Sequence, residues 1–404
     1  MPAPQDFRDA PVALEAALAR ILPEIPPMAT EPVALASALG RVLREDVVSP
    51  IDVPGADNSA VDGYAIHAAD LAAAGETRLP VIGRAAAGHP FDGPVPPGTA
   101  LRIFTGALMP AGPDTVVMQE DCRVEGDLVL LPAGLKRGSN RRRAGEDVKA
   151  GATVLAAGLR LRPQEIGLAA AIGRRELTVA QPLNVAVFSA GHELLGESNR
   201  QGLGALLRQL GLHAQDRGRL PSRRTEIESA LSKAAADSDV ILTSGDISLG
   251  EEDDLGAAVA ALGRLRLWHL AIKPGRMIAL GRLDTPRPVT VIGLAGNPLA
   301  AIVGFVCMAR PILLRLLGAR DLLLQRYRMR AGFEHRKASG RREFLRARLT
   351  QSRENEVTML AYPAQGSGIL SSLVAADGLV ELPEALTRVE RGSMVDFLPF
   401  GEVG

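Results

Sequence analysis

Several features that mark particular classes of protein are scarce in this sequence of 404 residues. Its two cysteines, Cys122 and Cys307, are far apart and lack CxxC spacing. This argues against a disulfide framework, a structural zinc site or an iron–sulfur cluster, and it fits a reducing cytoplasm. Aromatic residues make up 3% of the chain, with one Trp, so few side chains could stack against single-stranded nucleic acid.

Net charge and long apolar segments are also lacking. Lys plus Arg and Asp plus Glu number 46 each, so no global field steers the chain to nucleic acid or a membrane, and any anion site must be local. The N-terminal MPAPQDFRDA does not resemble a signal peptide, and no run reaches the roughly 18 apolar residues of a membrane span. We predict a soluble cytoplasmic protein that binds neither nucleic acid nor membrane.

The patterns along the chain predict a multidomain α/β protein. Leu14, Leu18 and Ile21 have helical spacing, whereas residues 51–144 contain short apolar stretches broken by Gly and Pro, typical of a β-rich module. Strands and helices alternate from Asn184, which indicates a doubly wound, mostly parallel sheet. The predicted domains are an N-terminal discontinuous α+β domain (1–50 and 145–181), an inserted β-rich domain (51–144), an α/β domain (182–319) and a C-terminal β domain (320–404).

Three loops directly after apolar strands combine glycine with small polar residues: 188–194, 242–250 and 293–298. Ligands bind at the carboxyl ends of parallel strands, where backbone N–H groups and helix N-termini can meet an anion. In the third loop, Asn297 suits a helix N-cap and Pro298 a first turn, so an ordinary helix start explains that loop alone. Three such loops on one sheet predict a shared crevice for a phosphate or another oxyanion.

Charged residues near these loops extend the hypothesis. Lys273 and Arg276 flank a Pro-Gly turn and could clamp a phosphate or a tetrahedral oxyanion, although such turns are more often solvated. Glu193 follows the first loop, and residues 251–254 form an acidic run after the second. Carboxylates beside a phosphate site indicate Mg²⁺, while helix N-terminal acids that complement the helix dipole are the simpler alternative.

Nine segments occur in one order over about 320 residues: DVPGADNSAVDGYA, RIFTGALMP, VVMQED, NRRRAGED, FSAGHEL, TSGDISLGEED, LAIKPGR, GLAGNP and QGSGILSS. This series resembles that of the molybdopterin molybdotransferases, the gephyrin E-domain family. The resemblance implies an elongated homodimer that inserts molybdate into adenylylated molybdopterin with Mg²⁺ and releases AMP and molybdenum cofactor. It places the site between subunits, where the α/β domain of one faces the inserted domain of the other.

The loops and the resemblance together assign roles to individual positions. The expected catalytic residues are Asp62, Thr105, Asp147, Glu193 and Asp253, of which Asp62, Glu193 and Asp253 hold the metal. The expected substrate-binding residues are Ser244, Gly245, Ser248, Lys273, Arg276, Gly296, Asn297, Pro298, Arg346 and Ser367. Partners beyond the pterin substrate would be molybdoenzymes or other cofactor-biosynthesis proteins.

Four positions depart from the family pattern near the expected site. His192 stands where Asp is usual, Asp246 replaces a Gly, Ala295 replaces a Pro, and Ser222 lies in a turn where the family carries an acidic pair. Asp246 adds negative charge where a glycine lets the backbone approach a phosphate. Two interpretations therefore stay open: an active molybdotransferase, and a non-catalytic paralogue that binds and hands on molybdenum cofactor or acts as a partner-binding protein.

Overall fold

The computed structural model describes residues 10–190, 196–245, 254–351, 357–366 and 368–403. The chain opens with three short elements: α1 (Leu14–Ile21), β1 (Thr30–Ala34) and β2 (Val47–Val48). Leu14, Leu18 and Ile21 lie on one face of α1 and are buried, as their spacing predicts. A 3₁₀ turn containing Pro23 follows and ends the α-helix, because proline cannot continue the backbone hydrogen bonding.

The next segment forms a β-rich unit with cores of its own. Its strands are β3 (Asn58–Ser59), β4 (Gly63–Ile66), β5 (Glu76–Ala85), β6 (Ala100–Ile103), β7 (Thr115–Met118), β8 (Arg123–Glu125), β9 (Leu128–Pro132) and β10 (Arg141–Arg142). Six of them form a sheet in the order β7-β4-β6-β5-β9-β8, and β3 pairs with β10. Two apolar clusters in this unit draw all their residues from positions 61–135.

The chain then returns to its first segment through β11 (Thr153–Leu155), α2 (Pro163–Ala171) and β12 (Glu176–Ala180). Strand β12 pairs antiparallel with β1, and β11 pairs antiparallel with β2. These pairings join the chain on both sides of the inserted β-rich unit.

An α/β domain follows, with a sheet that is parallel over most of its width. Its elements are β13 (Asn184–Ser189), α3 (Gly196–Gln209), β14 (His213–Arg219), α4 (Arg224–Ala235), β15 (Val240–Ser244), α5 (Asp254–Leu262), β16 (Gly263–His269), β17 (Ile272–Lys273), β18 (Met277–Leu283) and β19 (Val289–Leu294). The sheet order is β14-β13-β15-β19-β18-β16. The first four strands are parallel, while β18 runs antiparallel to both of its neighbours. The antiparallel edge β18-β16 was not among the predicted strands.

One long helix passes through the middle of the protein as α6 (Pro298–Gly304), a π turn (Phe305–Ala309) and α7 (Arg310–Leu316). Pro311 donates no backbone hydrogen bond, which accounts for the irregular turn before α7. By length and composition this helix could span a membrane, contrary to the expectation that no segment would. Of its most apolar window, 89% is buried inside the protein, as in a core helix.

The C-terminal part is a β domain. Its elements are β20 (Tyr327–Ala331), β21 (His335–Arg336), β22 (Arg342–Gln351), β23 (Val357–Ala361), α8 (Ser371–Val374), β24 (Gly378–Leu382), β25 (Arg388–Val389) and β26 (Met394–Pro399). The order β22-β23-β20-β26-β24 closes on itself through a β22–β24 pairing. The predicted fold class is confirmed, and the exact domain boundaries stay predictions.

The α/β domain shares one apolar core with helix α1 and with the C-terminal domain. That cluster contains Leu14 of α1, Val187 and Ile292 of the sheet, and Phe344 and Leu379 of the C-terminal domain. A second cluster lies on the other face of the sheet, between α4, α5 and strands β13, β15 and β19. The loops at the carboxyl ends of the strands are therefore supported by a continuous packed core.

Candidate active site

The three predicted loops begin at one edge of the sheet. Ser189, Ser244 and Leu294 are register partners at the ends of β13, β15 and β19, so these strands end level with one another. The Ala190 N–H donates to the Ser244 carbonyl at 2.8 Å, and the Gly245 N–H donates to the Leu294 carbonyl at 2.9 Å. The predicted convergence of the loops is observed for their described residues.

Gly245 occupies a position that no other residue type fits. Its φ is +106°, and a Cβ atom there would lie 2.2 Å from the Ala190 carbonyl oxygen. Both the backbone conformation and the close approach of the first loop require glycine. Gly245 therefore sets the distance between the first two loops.

A buried asparagine connects the second and third loops. Asn199, in α3, donates through Nδ2 to Ser244 Oγ at 2.8 Å and to the Gly296 carbonyl at 2.6 Å. Ser244 Oγ in turn donates to the Ala295 carbonyl at 3.0 Å, and it is 1% exposed. The Ser244 hydroxyl is therefore buried and hydrogen-bonded within this network, and substrate binding by Ser244 stays a prediction. Sequence reasoning did not assign Asn199 a role.

The third loop starts a helix as predicted. Asn297 is the N-cap of α6, its Oδ1 accepts from the Ala300 N–H at 3.5 Å, and Pro298 is the first helical residue. Asn297 also lies beside the C-terminal domain, since its Nδ2 is 3.9 Å from where a Cβ atom of Gly368 would be. Gly368 of the C-terminal domain thus lies close to the N-cap of α6.

The Pro-Gly turn between Lys273 and Arg276 packs against the same helix start. Gly275 has φ +88°, and a Cβ atom there would lie 2.9 Å from the Ala300 carbonyl oxygen. Arg276 is exposed. The two predicted cations are therefore adjacent to the third loop, as a shared anion site requires.

Lys273 is held by the C-terminal domain. Lys273 and Glu343 are register partners in the parallel pair β17–β22, and Lys273 Nζ lies 2.7 Å from Glu343 Oε1. His335 Nε2 lies 3.2 Å from the other carboxylate oxygen. Burial alone would raise the pKa of Glu343, but the bonds from Lys273 and His335 hold that pKa below its ordinary value. The Lys273 side chain remains 58% exposed, so its ammonium group is accessible to an anion.

Arg346 is buried within the C-terminal domain. It is 0% exposed, and its guanidinium donates to the Gly366 carbonyl at 2.8 Å, to Ser372 Oγ at 2.8 Å and to Gln365 Oε1. Arg346 thereby fixes the 364–366 segment. Its role in substrate binding stays a prediction.

Two of the predicted catalytic residues meet in the inserted β-rich unit. Asp62 Oδ1 accepts from both the backbone N–H and the hydroxyl of Thr105, each at 2.8 Å. These two bonds hold the pKa of Asp62 below its ordinary value, because both stabilise the carboxylate. Asp62 is partly exposed and Thr105 is exposed, so the pair faces solvent.

Asp147 is exposed at the edge of the same unit, in a shallow concavity with Asn58, Arg142 and Glu146. The preceding NRRRAGED segment is anchored by Asp57, which pairs with Arg141 and accepts from the Ala144 N–H at 2.8 Å. The sequence analysis assigned no role to Asp57, although this residue lies inside the segment DVPGADNSAVDGYA. Its contribution is to fix the chain that carries Asp147.

The two groups of predicted residues are separate within one chain. Among the described residues, no hydrogen bond or ion pair joins the Asp62–Thr105 pair to the loops of the α/β domain. Four predicted residues, Glu193, Ser248, Asp253 and Ser367, lie outside the described residues, as do the departures His192 and Asp246. Within the part that is described, no three His, Cys, Asp or Glu side chains cluster closely enough to hold a metal.

Comparison with known proteins identifies the family. Residues 12–173 match the MoeA N-terminal region (domain I and II), residues 186–315 a family described as "Probable molybdopterin binding domain", and residues 328–400 the MoeA C-terminal region (domain IV). The molybdopterin molybdenumtransferase of Haemophilus influenzae is 34% identical over 97% of this chain and 99% of its own length. The molybdopterin molybdenumtransferase of Synechococcus elongatus is 31% identical over 95% of this chain and 98% of its own length. The crystal structure of the molybdopterin biosynthesis MoeA protein of Pyrococcus horikoshii superposes with a TM-score of 0.80 at 28% identity, covering 97% of this chain and 100% of that one. The chain therefore belongs to the molybdopterin molybdenumtransferase family.

Proposed function

We propose that this protein is a transferase that inserts molybdenum into molybdopterin, taking molybdate and adenylylated molybdopterin and releasing AMP and molybdenum cofactor. The observation that supports this most is the crevice of the α/β domain. Three strand ends are level, the Asn199–Ser244 network holds the second and third loops, and the Lys273 turn packs beside them. Such an edge suits a phosphorylated ligand, because the start of α6 and the turn that carries the exposed Lys273 and Arg276 lie beside it.

Within this crevice, Lys273 and Arg276 supply the positive charge. The Lys273 ammonium group pairs with Glu343 and is also exposed to solvent. An anion can therefore bind the exposed side of the ammonium group without displacing the ion pair. A carboxylate-bound lysine is held in one place, which reduces the entropy lost when the anion binds. Glu343 and His335 thereby act as positioning residues for Lys273.

Asp62 is suited to hold Mg²⁺, with Glu193 and Asp253 as its predicted companions. One Asp62 oxygen accepts both bonds from Thr105, and its lowered pKa keeps the carboxylate ionised. A partly exposed carboxylate oxygen is the hard ligand that Mg²⁺ prefers. Bound Mg²⁺ would neutralise negative charge where the adenylyl phosphate and molybdate approach each other.

The separation of the two groups supports a homodimer with the site between subunits. The inserted unit of one subunit would present Asp62, Thr105 and Asp147 to the α/β crevice of the other. The free cysteines Cys122 and Cys307 fit the reducing cytoplasm, where we place the protein. The cofactor would pass from there to molybdoenzymes.

The direct test is to incubate the purified protein with adenylylated molybdopterin, Mg²⁺ and molybdate and to measure AMP. We expect AMP release that depends on both the metal and molybdate. Tight binding of the substrate without AMP release would instead identify a carrier of the cofactor, and would assign the departures at Asp246 and Ser222 a functional effect. Absence of binding would contradict the proposed crevice itself.

A further inference from the structure

The end of a third strand lies beside the Asp62–Thr105 pair of the inserted β-rich unit. Gly63, Ile103 and Ala85 are register partners in the neighbouring strands β4, β6 and β5. Gly63 begins its strand, whereas Ile103 and Ala85 end theirs, because β4 runs antiparallel to β6 and β5 runs parallel to it. Asp62 directly precedes β4, and Thr105 closely follows β6. The pair therefore lies at the edge of the sheet where β5 ends.

Arg84, the last residue but one of β5, adds an exposed cation to this edge. Its guanidinium lies over the ring of Phe104, 5.3 Å from the centroid. Phe104 directly precedes Thr105 in the chain, and its backbone N–H donates to the Ala85 carbonyl at 3.1 Å. The ring thus holds the Arg84 guanidinium next to the residue that binds Asp62.

A second arginine makes this edge more positive. Arg102 is the register partner of Arg84, and its guanidinium lies 4.8 Å from the centroid of the same Phe104 ring. Arg102 also donates to the Gly63 carbonyl at 3.3 Å and to the side chain of Gln119. These contacts fix Arg102 in the sheet. Like charges at directly opposed positions repel each other, so an anion bound at this edge would offset the repulsion.

The Arg84 guanidinium is available to such an anion. Within the part of the chain that the structure describes, the Arg84 side chain takes part in no hydrogen bond or ion pair, and its contact with the Phe104 ring is its one specific interaction. A cation–π contact leaves N–H donors of the guanidinium for a ligand. The planar arrangement of these donors matches the oxygens of a phosphate.

We propose that Arg84 binds the diphosphate group of adenylylated molybdopterin. This group joins the phosphate of AMP to that of the pterin. The inference rests on the proposed function, and it places Arg84 in the site that the inserted unit forms with the crevice of the other subunit. The Asp62 carboxylate alone would repel a diphosphate, whereas the Mg²⁺ proposed at Asp62 and the Arg84 guanidinium together supply the positive charge that the group requires.

The probe is ADP-ribose, whose diphosphate joins adenosine to a second group, and its binding to the full chain is measured by calorimetry with Mg²⁺. Arg84→Gln should weaken binding about tenfold, because a charge-assisted hydrogen bond is lost. Arg84→Lys keeps the cation and should bind within about threefold of the parent protein. Arg78→Gln is the matched control and should not change binding, since Arg78 is an exposed residue near the other end of β5, 3.9 Å from Glu125. Inorganic pyrophosphate should displace ADP-ribose, because the diphosphate is the part recognised.

All three variants should keep the melting temperature of the parent protein, because both arginines are exposed. Absence of ADP-ribose binding, no displacement by pyrophosphate, or equal binding by Arg84→Gln and Arg78→Gln would each overturn the proposal. The AMP-release assay separates this result from a failure of the proposed function. AMP release by the parent protein with unchanged ADP-ribose binding by Arg84→Gln overturns the role of Arg84 alone. Binding of ADP-ribose that depends on Arg84, without AMP release, supports the diphosphate site and overturns the transferase assignment.

Discussion

The two regions that carry the predicted site are built in opposite ways. The inserted β-rich unit has its own small cores, drawn from residues 61–135, and exposes the Asp62–Thr105 pair on its surface. The α/β crevice lies on a core shared with α1 and the C-terminal domain, and its loops are fixed by buried groups such as Asn199 and Ser244. One region presents a carboxylate on the surface of a self-contained unit, and the other holds its described loop residues on a core that it shares with two neighbouring parts of the chain.

Because of this difference, substitutions in the two regions should have different effects on activity and on folding stability. A change at Asp62 removes a charge from the surface and leaves both cores of its unit intact. A change at Asn199 leaves buried polar groups without partners and disturbs two loops together. Variants in the two regions should therefore differ in whether activity or folding responds first.

The largest effect on activity should come from Asp62→Asn. The amide cannot supply the anionic oxygen that a divalent cation or a developing charge requires, so AMP release should fall at least about a hundredfold. The melting temperature and dimerisation should not change. Asp92→Asn, an exposed change elsewhere in the same unit, serves as the control. Normal activity of Asp62→Asn would exclude Asp62 from the site.

The largest effect on stability should come from Gly245→Ala. The added Cβ atom meets the Ala190 carbonyl and the φ of +106° is strained for alanine, so unfolding should become easier by about 2–3 kcal/mol. Gly202→Ala in α3 is the matched control, because nothing lies within 4 Å of a Cβ atom there. That change should stabilise the protein by about 0.5–1 kcal/mol. Similar denaturation midpoints for the two variants would contradict the packing described at Gly245.

Asn199→Ala should show an intermediate loss. Removing the amide leaves the Gly296 carbonyl and the Ser244 hydroxyl short of a partner, which should cost about 2 kcal/mol in the free energy of unfolding. Activity should fall as well, because both loops lose their connection. Gln201→Ala changes an exposed amide on the same helix and should have little effect on either measurement. If the two variants behave alike, Asn199 does not organise the crevice.

The smallest effect should be a shift in pH dependence from Thr105→Val. Losing the hydroxyl removes one of the two bonds that lower the pKa of Asp62, so this pKa should rise towards its ordinary value while the backbone bond remains. The carboxylate is then protonated at a higher pH, and the acid limb of the AMP-release profile should move upwards. Thr105→Ser keeps the hydroxyl and should restore the original profile. An acid limb that moves downwards, or not at all, would show that Asp62 does not titrate in this limb.

The sequence predicted the parts of the fold that local patterns report. Apolar periodicity placed α1 and the strands β13, β15 and β19, and level parallel strands made the convergence of their loops predictable. The antiparallel pair β16–β18 was missed because Arg264, Arg266 and Arg282 interrupt the apolar pattern of its two strands.

The contacts that organise the site could not be predicted in the same way. Asn199 reaches Gly296 across 97 positions, and Lys273 reaches Glu343 across 70. No spacing rule connects residues at such distances in one sequence. The surroundings of Arg346 could not be predicted either, since its guanidinium is buried by contacts with Gln365 and Gly366, about 20 positions away.

The central claim is that Asp62 of one subunit serves the Lys273 crevice of the other, and mixed dimers test it most directly. Asp62→Asn and Lys273→Ala chains, each inactive alone, are unfolded together, refolded and assayed for AMP release, with each variant refolded separately as a control. A heterodimer has one site with both residues intact if the site lies between subunits, so activity should return in the mixture. If the mixture stays inactive while size exclusion and two different affinity tags show that heterodimers have formed, the site lies within one chain and the account is wrong.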